Sequence, residues 1–167
     1  MNIDILCEEK KWHKAITQKE IKEITLRLYR EILAKNLADN NKEISVSILL
    51  TNSTKIQELN KNYRQKDKPT NVLSFPIEYP KFLENEDGFN EKNLGDIVLC
   101  YEVIKNESAK QKKKFSNHLT HLILHSLLHL LGFDHINDKE AEIMENVEIE
   151  ILSNLGINNP YYFLKIF

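Results

Sequence analysis

Residues 117–131 restrict the fold of this chain more than any other stretch, because nearly every position that is not histidine is leucine or isoleucine. A helix that is apolar around most of its circumference is stable only when other elements cover it on several sides. A chain of 167 residues, 41% hydrophobic and 29% charged, is long enough to build such a core within one domain. We therefore predict a single domain over residues 1–167, with this helix buried at its centre.

Shorter patterns predict the elements around the central helix. Alternating residues and short apolar runs predict strands over 2–7, 43–50, 71–75 and 94–100. Helical spacing predicts helices over 17–37, after residue 52, through the basic run 110–114, over 117–131 and from Asp138 to residue 155. Strands that alternate with helices and then give way to helices predict an α/β (α+β) fold, with a small mixed sheet of about four strands and about five helices. Residues 78–93 are polar and acidic, which predicts an exposed mobile loop.

Three histidines have a spacing that suits one metal ion. His125 and His129 are four residues apart, so a helix places them on one face, one turn apart. Gly132 can end the helix in a left-handed conformation, after which the chain can bring His135 to the same point. Three imidazoles leave the fourth position of a tetrahedral zinc ion free, as in catalytic rather than structural sites. We predict one Zn²⁺ per chain, bound by His125, His129 and His135.

Two other interpretations of these histidines remain to be weighed. Core histidines can be satisfied by backbone carbonyls, but burying three unliganded rings among leucines is costly, which favours the metal. The spacing also matches the peptidase pattern H-E-x-x-H-x-x-G-x-x-H, in which the glutamate is the general base. Ser126 stands at that position and cannot act as a base at neutral pH. The sequence therefore keeps the ligands of such a peptidase without its base.

Three more residues near the cluster have open roles. His118 and His121 precede His125 on the same helix, and Asp134 precedes His135. Each histidine can contact substrate, support a metal ligand, or be an ordinary hydrogen-bonded side chain. Asp134 can orient a ligand imidazole or simply cap the turn.

The overall charge excludes a strongly basic nucleic-acid-binding domain. The formal net charge is −2 and the isoelectric point is near 6.3, so any polyanion has to be held by a local patch. Two patches are candidates, and each can equally be a solvated surface. The first consists of Lys61, Arg64, Lys66 and Lys68, and the second of Lys110, Lys112, Lys113 and Lys114.

Cysteine usage and hydropathy indicate the compartment. Cys7 and Cys100 are far apart and each lies in an apolar run, which predicts reduced core thiols. No run has the length needed to span a bilayer, and the acidic start does not match a signal peptide. We expect a cytoplasmic protein with no membrane partner.

Four blocks of the chain form a larger pattern. They read LNKNYRQKDKPTNVLSFP (59–76), LGDIVLC (94–100), HLTHLILHSLLHLLGFDH (118–135) and AEIMENVEIEILSNLGINNPY (141–161). In this order and spacing they resemble the YbeY family of bacterial rRNA-maturation endoribonucleases. One departure is Ser126, where the family usually has glycine. A small residue is kept there, so the metal site is not put in doubt.

The resemblance implies a zinc-dependent endoribonuclease specific for single-stranded RNA. It implies action on the 3′ end of the small-subunit ribosomal RNA and in ribosome quality control. It identifies His125, His129 and His135 with the family's zinc ligands and Arg64 with its functionally important arginine. The implied partners are ribosomal RNA and the ribosome or small-subunit assembly factors, and not DNA.

The chemistry of Arg64 agrees with this role. A guanidinium can hold a phosphodiester in a two-pronged contact and stabilise the charge that develops during transfer. Without the surrounding block, a solvated arginine at a helix end would be the better interpretation. Either water or the ribose 2′-hydroxyl can be the nucleophile, and the sequence leaves both open.

Two other classes of function compete with the nuclease. One is a ribosome-assembly binding protein with a structural metal, which the low net basicity favours slightly. The other is a metal-dependent hydrolase that acts on a small molecule or peptide. Loss of rRNA processing in both His129→Ala and Arg64→Ala variants that still fold would favour the nuclease.

Overall fold

The computed structural model describes residues 1–77 and 91–162, which form four strands, five α-helices and a short 3-10 helix. The strands are β1 (Asn2–Cys7), β2 (Glu43–Thr51), β3 (Val72–Pro76) and β4 (Glu91–Cys100). The α-helices are α1 (Gln18–Ala34), α2 (Ser53–Arg64), α3 (Tyr101–Lys110), α4 (Phe115–Leu130) and α5 (Asp138–Asn154), and the 3-10 helix is Lys10–Lys14. The predicted α+β class with a small mixed sheet is confirmed.

The four strands form one mixed sheet in the order β1-β2-β4-β3. β1 and β4 both run parallel to β2, while β3 lies at the edge and is antiparallel to β4. Side chains of β2 alternate between the two faces, and one row of them is buried under the helices: Ile44, Val46, Ile48 and Leu50. Such alternation is expected of a strand with one face in the core.

α4 is the buried centre of the domain, as its composition predicts. It contacts β3 and β4 of the sheet and is flanked by α1, α3 and α5. Its fully buried side chains are Leu119, Ile123, Leu124, Ser126, Leu127 and Leu128. α2 covers the opposite face of the sheet, where Ile56 packs against Leu73 and Val98. Two of the three metal candidates, His125 and His129, therefore sit on the buried central helix, and His135 follows it.

Local sequence signals explain where the helices begin. Thr17 and Glu20 form the predicted capping box of α1, with the Thr17 amide donating to the Glu20 carboxylate at 2.8 Å. Asn52 caps α2 by accepting from the amide of Lys55 at 3.0 Å. Asn137 caps α5 in the same way. These side chains satisfy amides that have no partner within their own helix.

The structure corrects two predicted boundaries. The basic run 110–114 does not continue a helix, because α3 ends at Lys110 and Lys112 has a left-handed φ of 52°. The amide of Lys113 then closes the turn on the carbonyl of Ser108 at 2.9 Å. Residues 91–93 are strand rather than loop, since they pair with residues 43–45 of β2. The rest of the predicted mobile loop, 78–90, lies outside the described residues.

The two cysteines are free thiols. Cys100 is buried and Cys7 is half-buried, in agreement with the prediction for Cys100 and only partly for Cys7. Within residues 1–77 and 91–162, no helix is long and apolar enough to span a membrane.

Candidate metal centre

Three imidazoles converge at the C-terminal end of α4. One ring nitrogen of each of His125, His129 and His135 lies within 4.8 Å of the others. The Nε2 atoms of His125 and His129 are 3.1 Å apart. Zinc–nitrogen bonds of about 2.0–2.1 Å in a tetrahedron separate nitrogens by about 3.3 Å, so this pair already has the required spacing. The donor set therefore fits a zinc ion with one position left for another ligand.

The turn after α4 brings His135 back to the helix. Gly132 has a φ of 94°, and its amide donates to the carbonyl of His129 at 3.0 Å. The amide of Phe133 donates to the carbonyl of Leu128 at 3.0 Å, which completes the left-handed helix end that glycine favours. Asp134 accepts from the amide of His135 at 2.8 Å. Its carboxylate thus shapes the turn, which is the plainer of its two predicted roles.

Hydrogen bonds orient the two helical imidazoles. Nδ1 of His129 lies 2.9 Å from the carbonyl oxygen of Phe133, and Nδ1 of His125 lies 2.9 Å from Oε1 of Glu148. Both partners can only accept, so the proton of each ring is on Nδ1 and the lone pair is on Nε2. The two lone pairs therefore belong to the nitrogens that are 3.1 Å apart. This is the usual support of a metal-binding histidine.

Glu148 of α5 is a fully buried carboxylate behind the metal ligands. Besides His125, it accepts a hydrogen bond from the Tyr161 hydroxyl and lies 3.5 Å from Nε2 of His121. Burial alone would raise the pKa of Glu148, but the hydrogen bonds from His121 and His125 bring it down to about 2. Glu148 is therefore ionised at neutral pH and can hold the His125 ring in its metal-binding tautomer.

Burial keeps the neighbouring groups neutral. It lowers the pKa of His129, and the adjacent His125 and His135 lower it further. Burial also raises the pKa of Tyr161, as does the charge of Glu148. A neutral imidazole is the form that binds a metal, and a protonated phenol is the form that donates to a carboxylate.

His118 and His121 prove to be hydrogen-bonded residues rather than members of the cluster. Nε2 of His118 is 2.8 Å from Oε2 of Glu107, which also accepts from the Asn71 amide at 3.0 Å. Nε2 of His121 is 3.4 Å from the Tyr161 hydroxyl. His121 therefore supports the carboxylate that holds His125, while His118 belongs to a separate network.

Arg64 is the last residue of α2, the helix that packs on the other side of the sheet from α4. Its side chain is exposed and has no hydrogen bond or ion pair with residues 1–77 or 91–162. A cavity of about 270 Å³ beside the cluster is lined by His125, His135, Ala141, Met144, Glu145, Glu148 and Tyr161, and so does not include Arg64. The structure brings the three histidines together and leaves Arg64 apart from them.

Sequence reasoning missed Glu148 and Tyr161. The signal for Glu148 was present, because it occupies a core position of α5 four residues after the buried Met144 and three before Ile151. An acidic residue in such a position needs a buried partner. Tyr161 follows the helices in an irregular segment, and no local pattern points from it to His121 or Glu148.

The fold and this site define an α+β protein with a three-histidine candidate metal centre. The family model described as Endoribonuclease YbeY matches residues 6–156, and the chain belongs to that family. Endoribonuclease YbeY of Colwellia psychrerythraea strain 34H is 50% identical over 129 residues, which cover 77% of this chain and 79% of the relative. The solution structure of TM1509 from Thermotoga maritima is similar with a TM-score of 0.54 and 26% identity, over 92% of this chain and 91% of that one.

Proposed function

We propose that residues 1–167 form one zinc-dependent endoribonuclease domain that cleaves single-stranded ribosomal RNA. Its proposed role is maturation of the 3′ end of the small-subunit RNA, together with ribosome quality control in the cytoplasm. The observation that carries the proposal is the convergence of His125, His129 and His135, with their ring nitrogens within 4.8 Å of one another. Membership of the endoribonuclease family supports the choice of RNA as substrate.

The three histidines would hold the metal, and Glu148 would keep the His125 ring in place. A bound zinc ion supplies a Lewis acid that can activate water or polarise a phosphoryl oxygen. His135 is exposed, and the cavity of about 270 Å³ beside it is open to a substrate group. A phosphodiester can therefore approach the centre from the side of His135, whereas Glu148 itself is fully buried.

Arg64 is the proposed clamp for the phosphodiester. The loop after it is well held, since the Asn60 amide donates to the carbonyl of Lys68 at 2.7 Å. Lys61 is paired with Asp67 at 2.7 Å, whereas Arg64 has no ion pair with residues 1–77 or 91–162. A free guanidinium can bind a phosphate through two parallel hydrogen bonds. The substrate strand would have to reach both Arg64 and the histidines.

Protein partners would supply part of the binding. A net charge of −2 gives the chain little general attraction for RNA, so binding by the chain alone should be modest and sensitive to salt. We propose that the ribosome or small-subunit assembly factors bring the enzyme to its RNA.

The test is cleavage of a labelled single-stranded RNA by the zinc-loaded protein and its variants. We expect His129→Ala and Arg64→Ala each to lower kcat/KM by about 100-fold or more, because each removes a group that stabilises developing charge. The matched controls are His13→Ala, an exposed histidine of the 3-10 helix, and Arg30→Ala, an exposed arginine of α1. The controls should cleave like wild type.

Two results would contradict the proposal. Unchanged cleavage in folded His129→Ala protein would remove the metal centre from the reaction. Zinc-loaded wild type that binds ribosomal RNA without cleaving it would support the assembly protein with a structural metal instead.

A further inference from the structure

The metal centre has the ligand spacing of a zinc peptidase but lacks the helical glutamate that serves such a peptidase as general base. Ser126 stands at that position and is fully buried in the core. Asp134, which directly precedes the third ligand, accepts from the amide of His135 at 2.8 Å and shapes the turn. A base for a reaction at this centre therefore has to come from another element of the fold.

α5 forms one wall of the cavity of about 270 Å³ beside the three histidines. The residues of α5 that line it are spaced as one stripe of a helix: Ala141, Met144, Glu145 and Glu148. Met144 and Glu148 are buried, while Ala141 and Glu145 are half-buried and form the row closer to solvent. The exposed ligand His135 lies three residues before α5 and lines the same cavity.

Glu145 and Glu148 are the two carboxylates that line this cavity in the part of the chain that the structure describes. Glu148 is fully buried, and its oxygens accept from His125 and Tyr161. Glu145 makes no hydrogen bond or ion pair with residues 1–77 or 91–162. The side chain of Glu145 is therefore available to a group that enters the cavity.

An electrostatic effect supports this position of the Glu145 carboxylate. Burial raises the pKa of the Tyr161 phenol, and the charges of Glu148 and Glu145 raise it further. Tyr161 also lines the cavity. The charge of Glu145 therefore lies within electrostatic reach of a phenol that borders the cavity.

The size of the cavity suits a proton transfer between Glu145 and an oxygen beside the histidines. Each molecule of liquid water occupies about 30 Å³, so the cavity can hold a phosphate group together with a few waters. A general base acts over one hydrogen bond or through one intervening water. In a cavity of this volume, an oxygen nucleophile beside His125 and His135 can reach Glu145 in either way.

A carboxylate on this wall is unfavourable for binding RNA. A phosphodiester is an anion, and the like charge of Glu145 repels it. Glu142, on the exposed side of α5, has a carboxylate that only solvent surrounds, and it does not line the cavity. The charge of Glu145 is therefore a disadvantage for binding that an effect on the reaction step would offset.

We propose that Glu145 is the general base of the reaction, and that its carboxylate takes the proton of the oxygen nucleophile as this oxygen bonds to phosphorus. The nucleophile is water or the ribose 2′-hydroxyl. The bond between phosphorus and the leaving ribose oxygen breaks, its electron pair stays on that oxygen, and solvent water supplies the proton that the oxygen takes up. Glu145 then returns its proton to solvent. This inference rests on the proposed function and adds a catalytic residue to it.

The test is single-turnover cleavage of a labelled single-stranded RNA by zinc-loaded wild type and Glu145→Gln protein. The substitution keeps the shape of the side chain and removes its basicity, so the maximal rate should fall by about 100-fold or more. The protein concentration at half-maximal rate reports RNA binding, and it should stay equal or decrease because a repelling charge is removed. The matched control, Glu142→Gln, should behave like wild type. Thermal unfolding checks that each variant is folded.

Zinc affinity separates a general base from a metal ligand. Competition against a chromophoric chelator should give dissociation constants for wild type and Glu145→Gln within about threefold of each other, because loss of a group that supports the metal costs about 10-fold or more. A loss of that size in Glu145→Gln would show that Glu145 fills the fourth metal position. The assignment as a base would then be overturned.

Chemical rescue provides a second variant. Glu145→Ala leaves space on the cavity wall for formate, a small carboxylate that can take the same proton. Added formate should raise its cleavage rate by about tenfold or more, and it should not accelerate the Glu142→Ala control. A purely structural role of Glu145 predicts no acceleration, and that result would overturn the proposal.

The outcomes distinguish this proposal from the proposed function. RNA cleavage by wild type with an equal rate in Glu145→Gln would keep the nuclease and overturn the base. A lower activity of Glu145→Gln that arises only from weaker RNA binding would also overturn the base, with the nuclease again retained. Zinc-loaded wild type that cleaves no RNA would refute the nuclease and the base together.

Discussion

At the scale of single residues, the metal centre depends on a side chain that does not touch the metal position. Glu148 accepts hydrogen bonds from His125, Tyr161 and His121. It is fully buried, so its carboxylate interacts with these side chains rather than with solvent. Its charge holds the proton of His125 on Nδ1 and leaves Nε2 for the metal. Glu148 is thus a positioning residue, and metal affinity is the property it should control.

We expect Glu148→Gln to weaken zinc binding by about 10- to 100-fold, the usual cost of losing the hydrogen-bond partner of a metal ligand. Glutamine has nearly the same size as glutamate but carries no charge. Competition against a chromophoric chelator measures the affinity directly, without reference to cleavage. Glu142→Gln on the exposed side of α5 is the matched control, and equal affinities in the two variants would contradict the role of Glu148.

Ser126, the residue that departs from the usual family glycine, faces the core rather than the substrate. It is fully buried, and its hydroxyl has no partner among the described residues. Ser126→Ala removes this unpaired hydroxyl and improves helix propensity, so it should raise the free energy of unfolding by about 1 kcal/mol. Urea denaturation measures the change. A clear loss of stability would show that the hydroxyl has a partner in solution.

At the scale of elements, one carboxylate joins three parts of the fold. Glu102, in the first turn of α3, accepts from the amide of Ser53 at the start of α2 at 3.1 Å. It also pairs with Lys11 of the 3-10 helix at 2.7 Å. Burial would raise the pKa of Glu102, but the hydrogen bonds from Lys11 and the Ser53 amide outweigh it, so the pKa is lowered overall.

This shift predicts a dependence of stability on pH. The pKa of Glu102 is lower in the folded than in the unfolded state. The ionised carboxylate therefore adds to the free energy of unfolding above pH 4.5, its unfolded pKa, and this stabilisation is lost as the pH falls through the folded pKa. Glu102→Gln should therefore destabilise the protein at pH 7 and much less at pH 3. Denaturant unfolding of both proteins at the two pH values checks this. A difference that grows towards acid pH would reverse the sign and contradict the assignment.

At the scale of the whole molecule, the core is complete without the metal. The buried cluster extends from β1 through α1 and α4 to α5, whereas His135 reaches the centre from an exposed turn. Metal binding should therefore add stability to a domain that already folds. A structural zinc site, by contrast, would be required for folding.

Zinc at about 100 times its dissociation constant should stabilise the native state by about 2.7 kcal/mol. For a domain of this size that corresponds to a rise in Tm of about 5–10 °C. Thermal unfolding with zinc and with excess chelator measures the effect. The rise should disappear in His129→Ala protein and persist in the His13→Ala control. Unfolding of the wild type by the chelator alone would favour a structural metal.

Patterns along the chain predict much of this protein because their physical causes are local. The capping box at Thr17, the alternation in β2 and the apolar circumference of α4 each depend on neighbouring residues in a helix or strand. The spacing of His125, His129 and Gly132 is equally local, since it follows from the pitch of one helix and the turn that ends it. The histidine cluster, the class of fold and the family could therefore be predicted from the sequence.

Other features exist only where distant segments meet. Glu148 reaches His125 from another helix, and Tyr161 reaches Glu148 and His121 from the segment after α5. Lys113 ties the connection before α4 to the carbonyl of Pro160. Whether the basic run before α4 faces a cavity or solvent is likewise a matter of packing. The sequence alone determined which side chains can bind a metal. The tertiary structure decided which carboxylate supports them, because buried charge is satisfied by contacts across the fold rather than along the chain.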